Sequence, residues 1–207
     1  MDVRLMNADI VIAATAHNPS ILSPDWLKET KLISDEPTNF IHTPDLSVFE
    51  SNKLSLIVDR QRMRLLAKKF DMESLEAIKK IAISYIDLLP NIPYKAYGAN
   101  FIWLIKANAG ESIPGIHIKI NESNSIGDVL SGHELSYGCI IKAKRSPYLL
   151  KLILEPLERN SLSINFNYHH EIGKEKENLV EYIKNYINLL SYSQNIVDSI
   201  TKGGQSK

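Results

Sequence analysis

The chain repeats itself at a distance of about 100 residues, and this constrains its fold more than any other feature. Phe49-Glu50-Ser51-Asn52-Lys53-Leu54-Ser55 returns as Leu157-Glu158-Arg159-Asn160-Ser161-Leu162-Ser163. Tyr85-Ile86-Asp87-Leu88-Leu89 returns as Tyr186-Ile187-Asn188-Leu189-Leu190, and Asp25-Trp26-Leu27 has an echo in Asp128-Val129-Leu130. The echoes keep their order, as a duplicated unit requires. Two similar units carry similar apolar faces, which they can bury against each other. The repeat bears on architecture and names no reaction.

The elements can be read between these echoes. Residues 8–16 form an apolar run closed by His17-Asn18-Pro19, which predicts a strand. Ser23-Pro24-Asp25 is a helix start, with Ser23 as cap, Pro24 in the first turn and Asp25 complementing the dipole. A strand is expected over 40–49, placed at a sheet edge or bulge by Pro44. Residues 54–59 and 62–68 follow as one bent strand or a hairpin folded at Arg60-Gln61. Leu75, Ile78, Ala82, Tyr85, Ile86 and Leu89 fall at spacings of three and four, which predicts a helix over 72–89 capped by Asp71 and stopped by Pro90.

The second half runs similarly. A long strand over 97–107 is apolar on both faces and so belongs in the middle of a sheet. A short strand at 116–120 and a helical turn at 126–130 are expected, then strands over 135–143, 148–154 and 162–168. The last helix begins after Gly173 and carries Leu179, Ile183, Tyr186, Ile187 and Leu190 on one stripe. The expected fold is therefore α+β, with two tandem similar units at 1–90 and 91–200, each a set of antiparallel strands closed by a long helix. The helices pack on a mostly antiparallel sheet, and 201–207 is a disordered tail.

Composition narrows the function classes. Lys+Arg and Asp+Glu number 24 each, giving a formal net charge of zero. Dedicated nucleic-acid and membrane-surface binders carry a basic excess, and a neutral protein suits life in an assembly. Cys139 is the only cysteine, so an intramolecular disulfide and a cysteine-based zinc site are excluded. The N-terminus has no charged region followed by a long apolar one, and a cytoplasmic protein is expected.

No motif supplies a reaction centre. None of the six histidines pairs with another at helical i,i+4 spacing, and the neighbours His169 and His170 should point to opposite strand faces. His133-Glu134-Leu135-Ser136-Tyr137 lacks the second histidine of the zinc-protease helix. Gly127 and Gly132 have P-loop spacing, but His133-Glu134 stand where lysine and Ser/Thr are needed. Cys139 has no sign of a helix N-terminus to activate it. No metal or cofactor is expected. An enzyme with a non-standard site remains an alternative, with His133, Glu134 and Asp59 the first residues to change.

Two other surfaces are candidates. Arg60, Arg62 and Arg64 alternate along a strand and, with Lys68, Lys69, Lys142, Lys144, Arg145 and Lys151, would make a single-strand nucleic-acid platform if Tyr148 or Tyr168 shared their face. The competing reading pairs those arginines with nearby carboxylates. Apolar anchors occur in residues 19–27 and 88–97, both at joins of the repeat. Ile21, Leu22, Trp26, Leu27, Ile92, Tyr94 and Tyr97 are the candidate partner-binding residues, with packing onto the core as their ordinary alternative.

Residues 18–27, with Leu89-Pro90-Asn91-Ile92-Pro93 and Gly98-Ala99-Asn100-Phe101, resemble a prokaryotic protein family without an established activity. That resemblance implies a prokaryotic setting and no catalytic residue. The order of elements is similar in a general way to sheet-plus-long-helix chaperones of the SecB type. The expectation is a non-enzymatic interaction subunit, adaptor, scaffold or chaperone-like, that binds another protein or itself as an oligomer or hetero-complex. A nucleic-acid-binding protein is the runner-up.

Overall fold

The computed structural model describes residues 1–108, 138–157, 160–173 and 179–202. Nine strands form a single antiparallel sheet, and four α-helices lie with it among these residues. The strands are β1 (Asp2–Ala14), β2 (Asn39–His42), β3 (Leu46–Glu50), β4 (Leu54–Asp59), β5 (Arg62–Ala67), β6 (Tyr94–Lys106), β7 (Cys139–Arg145), β8 (Tyr148–Leu157) and β9 (Ser161–Glu171). Their order across the sheet is β2-β3-β4-β5-β1-β6-β9-β8-β7. The helices are α1 (Pro24–Glu29), α2 (Met72–Leu88), α3 (Leu179–Lys184) and α4 (Tyr186–Lys202). None is long and apolar enough to cross a membrane.

The α+β class and the antiparallel sheet agree with the expectation, and one sheet holds all the described strands. β1 and β6 are its middle pair, joined from Asp2 opposite Lys106 to Ala14 opposite Tyr94. The long apolar strand read from Phe101, Ile102, Trp103 and Leu104 is thus central.

Strand alternation sorts the side chains. Ala8, Ile10 and Ile12 on β1, Met63 and Leu65 on β5, Tyr97, Phe101 and Trp103 on β6, and Phe166 and Tyr168 on β9 are buried on one face. Against that face α2 packs on β5 and β1, and α4 packs on β6 and β9. The residues between them (Arg64, Asp9, Asn100, Asn167) line a second face that no helix among the described residues covers.

Local chemistry sets the boundaries. Ser23 Oγ accepts from the Trp26 N–H at 3.1 Å, capping α1 as its sequence implies. Asp71 Oδ1 accepts from the Ser74 N–H at 2.8 Å, and these bonds hold its carboxyl below the usual carboxylate range. The strand expected over 40–49 is instead a hairpin. Thr43 Oγ1 accepts from the Leu46 N–H at 3.0 Å, so Pro44 sits in the turn between β2 and β3. At the β4–β5 hairpin Asp59 Oδ1 takes the Gln61 and Arg62 N–H groups at 2.7 and 2.8 Å, which folds the chain at Arg60-Gln61.

The single long C-terminal helix expected after Gly173 is broken at Asn185, between α3 and α4. The Tyr182 carbonyl accepts both the Asn185 N–H (3.2 Å) and the Tyr148 hydroxyl (3.0 Å), and Asn185 Nδ2 donates to that hydroxyl at 3.4 Å. A tyrosine from β8 therefore competes for helix groups and tightens the turn. α4 runs to Lys202, past the start of the expected tail; 203–207 lie outside the described residues. So do 109–137, with the short strand at 116–120, the turn at 126–130, the Gly127–Gly132 spacing, His133, Glu134 and the Asp128 echo.

Gly138, just before β7, is fixed by space. A Cβ there would lie 2.6 Å from the Leu154 carbonyl oxygen, so the backbone of β8 leaves no room for a side chain. Cys139 opens β7 instead of sitting mid-strand, and is half-buried.

Candidate functional site

The helix-bearing face holds an open apolar groove of 530 Å³ between the start of α2 and the middle of α4. Its floor is the cross-strand pair Leu5 and Trp103 from β1 and β6. Phe70, Met72 and Leu75 make one wall, and Leu190, Ser191 and Gln194 the other. Met72 is 54% exposed and Phe70 37%. Next to Leu5, Met6 stands exposed where the β1–β6 register shifts.

The wall follows from the helix start. Asp71 is the cap of α2, so Phe70 precedes the cap and Leu75 is the fourth helical residue, the two positions of a hydrophobic staple. Trp103 is held in place by α4. Its indole N–H donates to Ser193 Oγ at 3.0 Å, and that hydroxyl donates to the Leu190 carbonyl at 2.7 Å. A flexible thioether and an aromatic edge beside a fixed indole make a surface that accepts aliphatic side chains of varied shape.

The anchors expected from sequence are distributed differently. Leu22, Leu27 and Tyr97 are buried in the core, and Ile21, Trp26, Ile92 and Tyr94 are half-buried against it. The two segments that carry them are tied together at residues 15–17. The Thr15 N–H donates to the Pro93 carbonyl at 3.1 Å, and the His17 ring lies 6.1 Å from that of Tyr94.

His17 is buried there with both ring nitrogens engaged, Nδ1 with the Tyr85 hydroxyl at 3.0 Å and Nε2 with the Ile12 carbonyl at 3.1 Å. A carbonyl can only accept, so Nε2 carries the proton and Nδ1 accepts from Tyr85. Burial lowers the imidazole pKa from its ordinary 6.5, partly opposed by the Ile12 carbonyl and the charge of Asp59. The folded protein thus takes up this proton less readily than the unfolded chain. Stability is expected to be full above pH 6.5 and to fall as the pH drops below it toward the lower folded value. Urea midpoints measured across pH 8 to 5 check this. His17→Gln should flatten the drop, and an unchanged slope in that variant would assign the drop to other groups.

The arginines each meet a carboxylate. Arg60 Nε lies 2.5 Å from Asp45, Arg62 Nε lies 3.5 Å from Asp59, and Arg64 binds the buried Asp9. Arg60 is in the hairpin turn, outside the strand. Tyr148 and Tyr168 are buried on the helix-bearing face, whereas Arg64 and Lys151 stand on the other. Of the expected nucleic-acid platform, Arg64, Lys142, Lys144 and Lys151 thus lie on the opposite side of the sheet from the tyrosines, and Arg145 shares the tyrosines' side, over the Tyr192 ring.

Asp9 forms the hub of a polar row on the uncovered face. It accepts from Arg64 Nε at 3.0 Å and from Arg64 Nη2, from Asn7 Nδ2 at 3.1 Å and from Asn100 Nδ2 at 2.5 Å. Asn167 Nδ2 in turn donates to Asn100 Oδ1. The row links four neighbouring strands. Behind it, the hydroxyls of Tyr97, Tyr168 and Tyr186 are buried without a hydrogen-bond partner among the described residues, and burial drives all three well above the ordinary tyrosine range.

Among the described residues no three His, Cys, Asp or Glu side chains converge to hold a metal ion. His169 and His170 take opposite faces, His169 beside Glu171 at 3.7 Å and His170 with Nδ1 on the Pro147 carbonyl at 2.9 Å. No protein-family model matches the chain, and no curated protein matches its sequence.

Proposed function

We propose that the chain is a non-enzymatic interaction subunit, adaptor, scaffold or chaperone-like, of a larger cytoplasmic prokaryotic complex. The observation that carries this reading is the open groove with Met72 and Phe70 exposed along one wall above Trp103. Large apolar side chains held at a surface around a fixed aromatic are what partner recognition uses. The occupant is an apolar segment of another protein or of a second copy. Trp26 and Ile92, half-buried against the core, stay candidate contacts.

Two tandem units, 1–90 and 91–200, are part of the same proposal. Support comes from the strand order, in which β2 to β5 and β7 to β9 are meanders that end beside β1 and β6, with α2 following one and α3 and α4 the other. Tyr85 of α2 and Tyr186 at the start of α4, equivalent in the repeat, are both buried. One echo runs against the simplest alignment: Phe49–Ser55 spans the β3–β4 turn, and its counterpart spans the β8–β9 turn.

The test is native mass spectrometry of the protein co-expressed with its genomic neighbours. A stoichiometric complex or homo-oligomer is expected, and Met72→Asp with Phe70→Asp should weaken it at least tenfold while the urea midpoint falls only by the loss of the Phe70–Leu75 staple. A monomer in both preparations, or association indifferent to the two aspartates, removes the groove from the account.

A further inference from the structure

Among the described residues the sheet has two outer strands, and they are built differently. β2 is four residues long. β7 has seven residues, of which all but the first are exposed. Ile140 is 59% exposed and Ile141 47%. On the uncovered face Lys142 stands directly opposite Lys151 of β8, and Lys144 opposite Leu149. Among the described residues, none of Lys142, Lys144 and Lys151 has a carboxylate partner, unlike Arg60, Arg62, Arg64, Lys53, Lys68 and Lys79.

Like charges placed directly across a ladder destabilise it. Lysines also guard sheet edges against uncontrolled pairing, but guarding removes apolar surface from an edge, and here two exposed isoleucines stand with the lysines. The alternation is specific. Ile140, Lys142 and Lys144 face the uncovered side, and Ile141 and Ala143 face the helix side with Arg145, which lies 3.6 Å over the Tyr192 ring.

We propose that β7 is an attachment edge for an acidic, aliphatic strand of a partner protein. The added strand pairs its backbone with β7. Its Asp or Glu side chains meet Lys142 and Lys144, with Lys151 behind them, and its alternate aliphatic side chains lie against Ile141 and Ala143. A second copy of β7 would bring lysine against lysine, so charge selects a different partner. A polynucleotide finds the cations, but none of the side chains that β7 and β8 turn to that face is aromatic and able to stack a base. The inference is independent of the groove, which lies on the other face.

The experiment uses the whole protein and a fluorescein-labelled peptide of alternating Glu and Val, with a Lys and Val peptide as control. Anisotropy should report binding of the acidic peptide alone, weakening as salt rises. Hydrogen exchange of the outward-facing β7 amides, the alternate ones not bonded to β8, should slow at least tenfold at saturation. Lys142→Glu with Lys144→Glu should weaken binding at least tenfold, whereas Met72→Asp should leave it unchanged. Any of four results overturns the proposal: equal binding of both peptides, retained binding after charge reversal, outward-facing β7 amides already fully protected in the free protein, or displacement of the peptide by oligothymidylate at lower concentration than by unlabelled peptide.

Discussion

Replacing Trp103 with alanine is expected to cost about 3–5 kcal/mol of folding stability. The indole is almost wholly buried, stands opposite Leu5 at the middle of the sheet, and is bonded to Ser193 of α4. Its removal opens a cavity between β6 and α4 and frees the helix from the strand it sits on. Against a total stability of about 5–15 kcal/mol for a domain, that loss is a large fraction. Trp103→Phe keeps most of the volume and gives up one hydrogen bond. The Ser193 hydroxyl still donates to Leu190, so the cost falls to about 1 kcal/mol. Chemical denaturation of the two variants separates packing from the bond. Equal losses in both would mean that the hydrogen bond, and not the volume, holds α4 down.

The second large effect lies on the opposite face. Arg64→Met leaves the buried Asp9 carboxylate with only the amides of Asn7 and Asn100. Breaking a buried ion pair costs about 3–5 kcal/mol, and since Arg64 is 45% exposed the lower end is expected here. Adding Asp9→Leu should recover most of the loss, because a matched apolar pair beside Val11 and Leu66 carries no stranded charge. A double-mutant cycle in urea checks both statements. A double variant as unstable as Arg64→Met would show that the carboxylate serves Asn7 and Asn100 more than the arginine.

What could be read from the chain was local. The stripe of α2, its Asp71 cap and its Pro90 stop are all within one window, and so were the hairpin at Arg60-Gln61 and the cap of α1. β1 begins earlier than its apolar run: Asp2, Val3, Arg4 and Leu5 alternate, and the register shift at Met6 sets that short alternation out of phase with the run that follows. Pro44 argued for a disturbed strand, and only the Thr43–Leu46 bonds make it a turn. The break at Asn185 depends on a hydroxyl from Tyr148, a residue remote in sequence. The groove was illegible for the same reason. Its residues come from position 5, from 70–75, from 103 and from 190–194, and no window contains two of its walls. Phe70 and Met72 flanking Asp71 were the available sign: two large apolar residues in a polar turn.

The β1–β6 seam also fixes an order of events as the chain is made. β1 leaves the ribosome ahead of β5 and can pair with it once residue 67 has emerged, and α2 follows. Its other edge must wait for β6, close to 100 residues downstream by the pairing of Asp2 with Lys106. During that interval, on the order of seconds at typical elongation rates, a nascent half-sheet presents a thirteen-residue open strand to every other nascent copy on the same message. Closure of the seam is a race between a tethered strand and untethered ones, so crowded polysomes are where this protein is most exposed to swapping its halves.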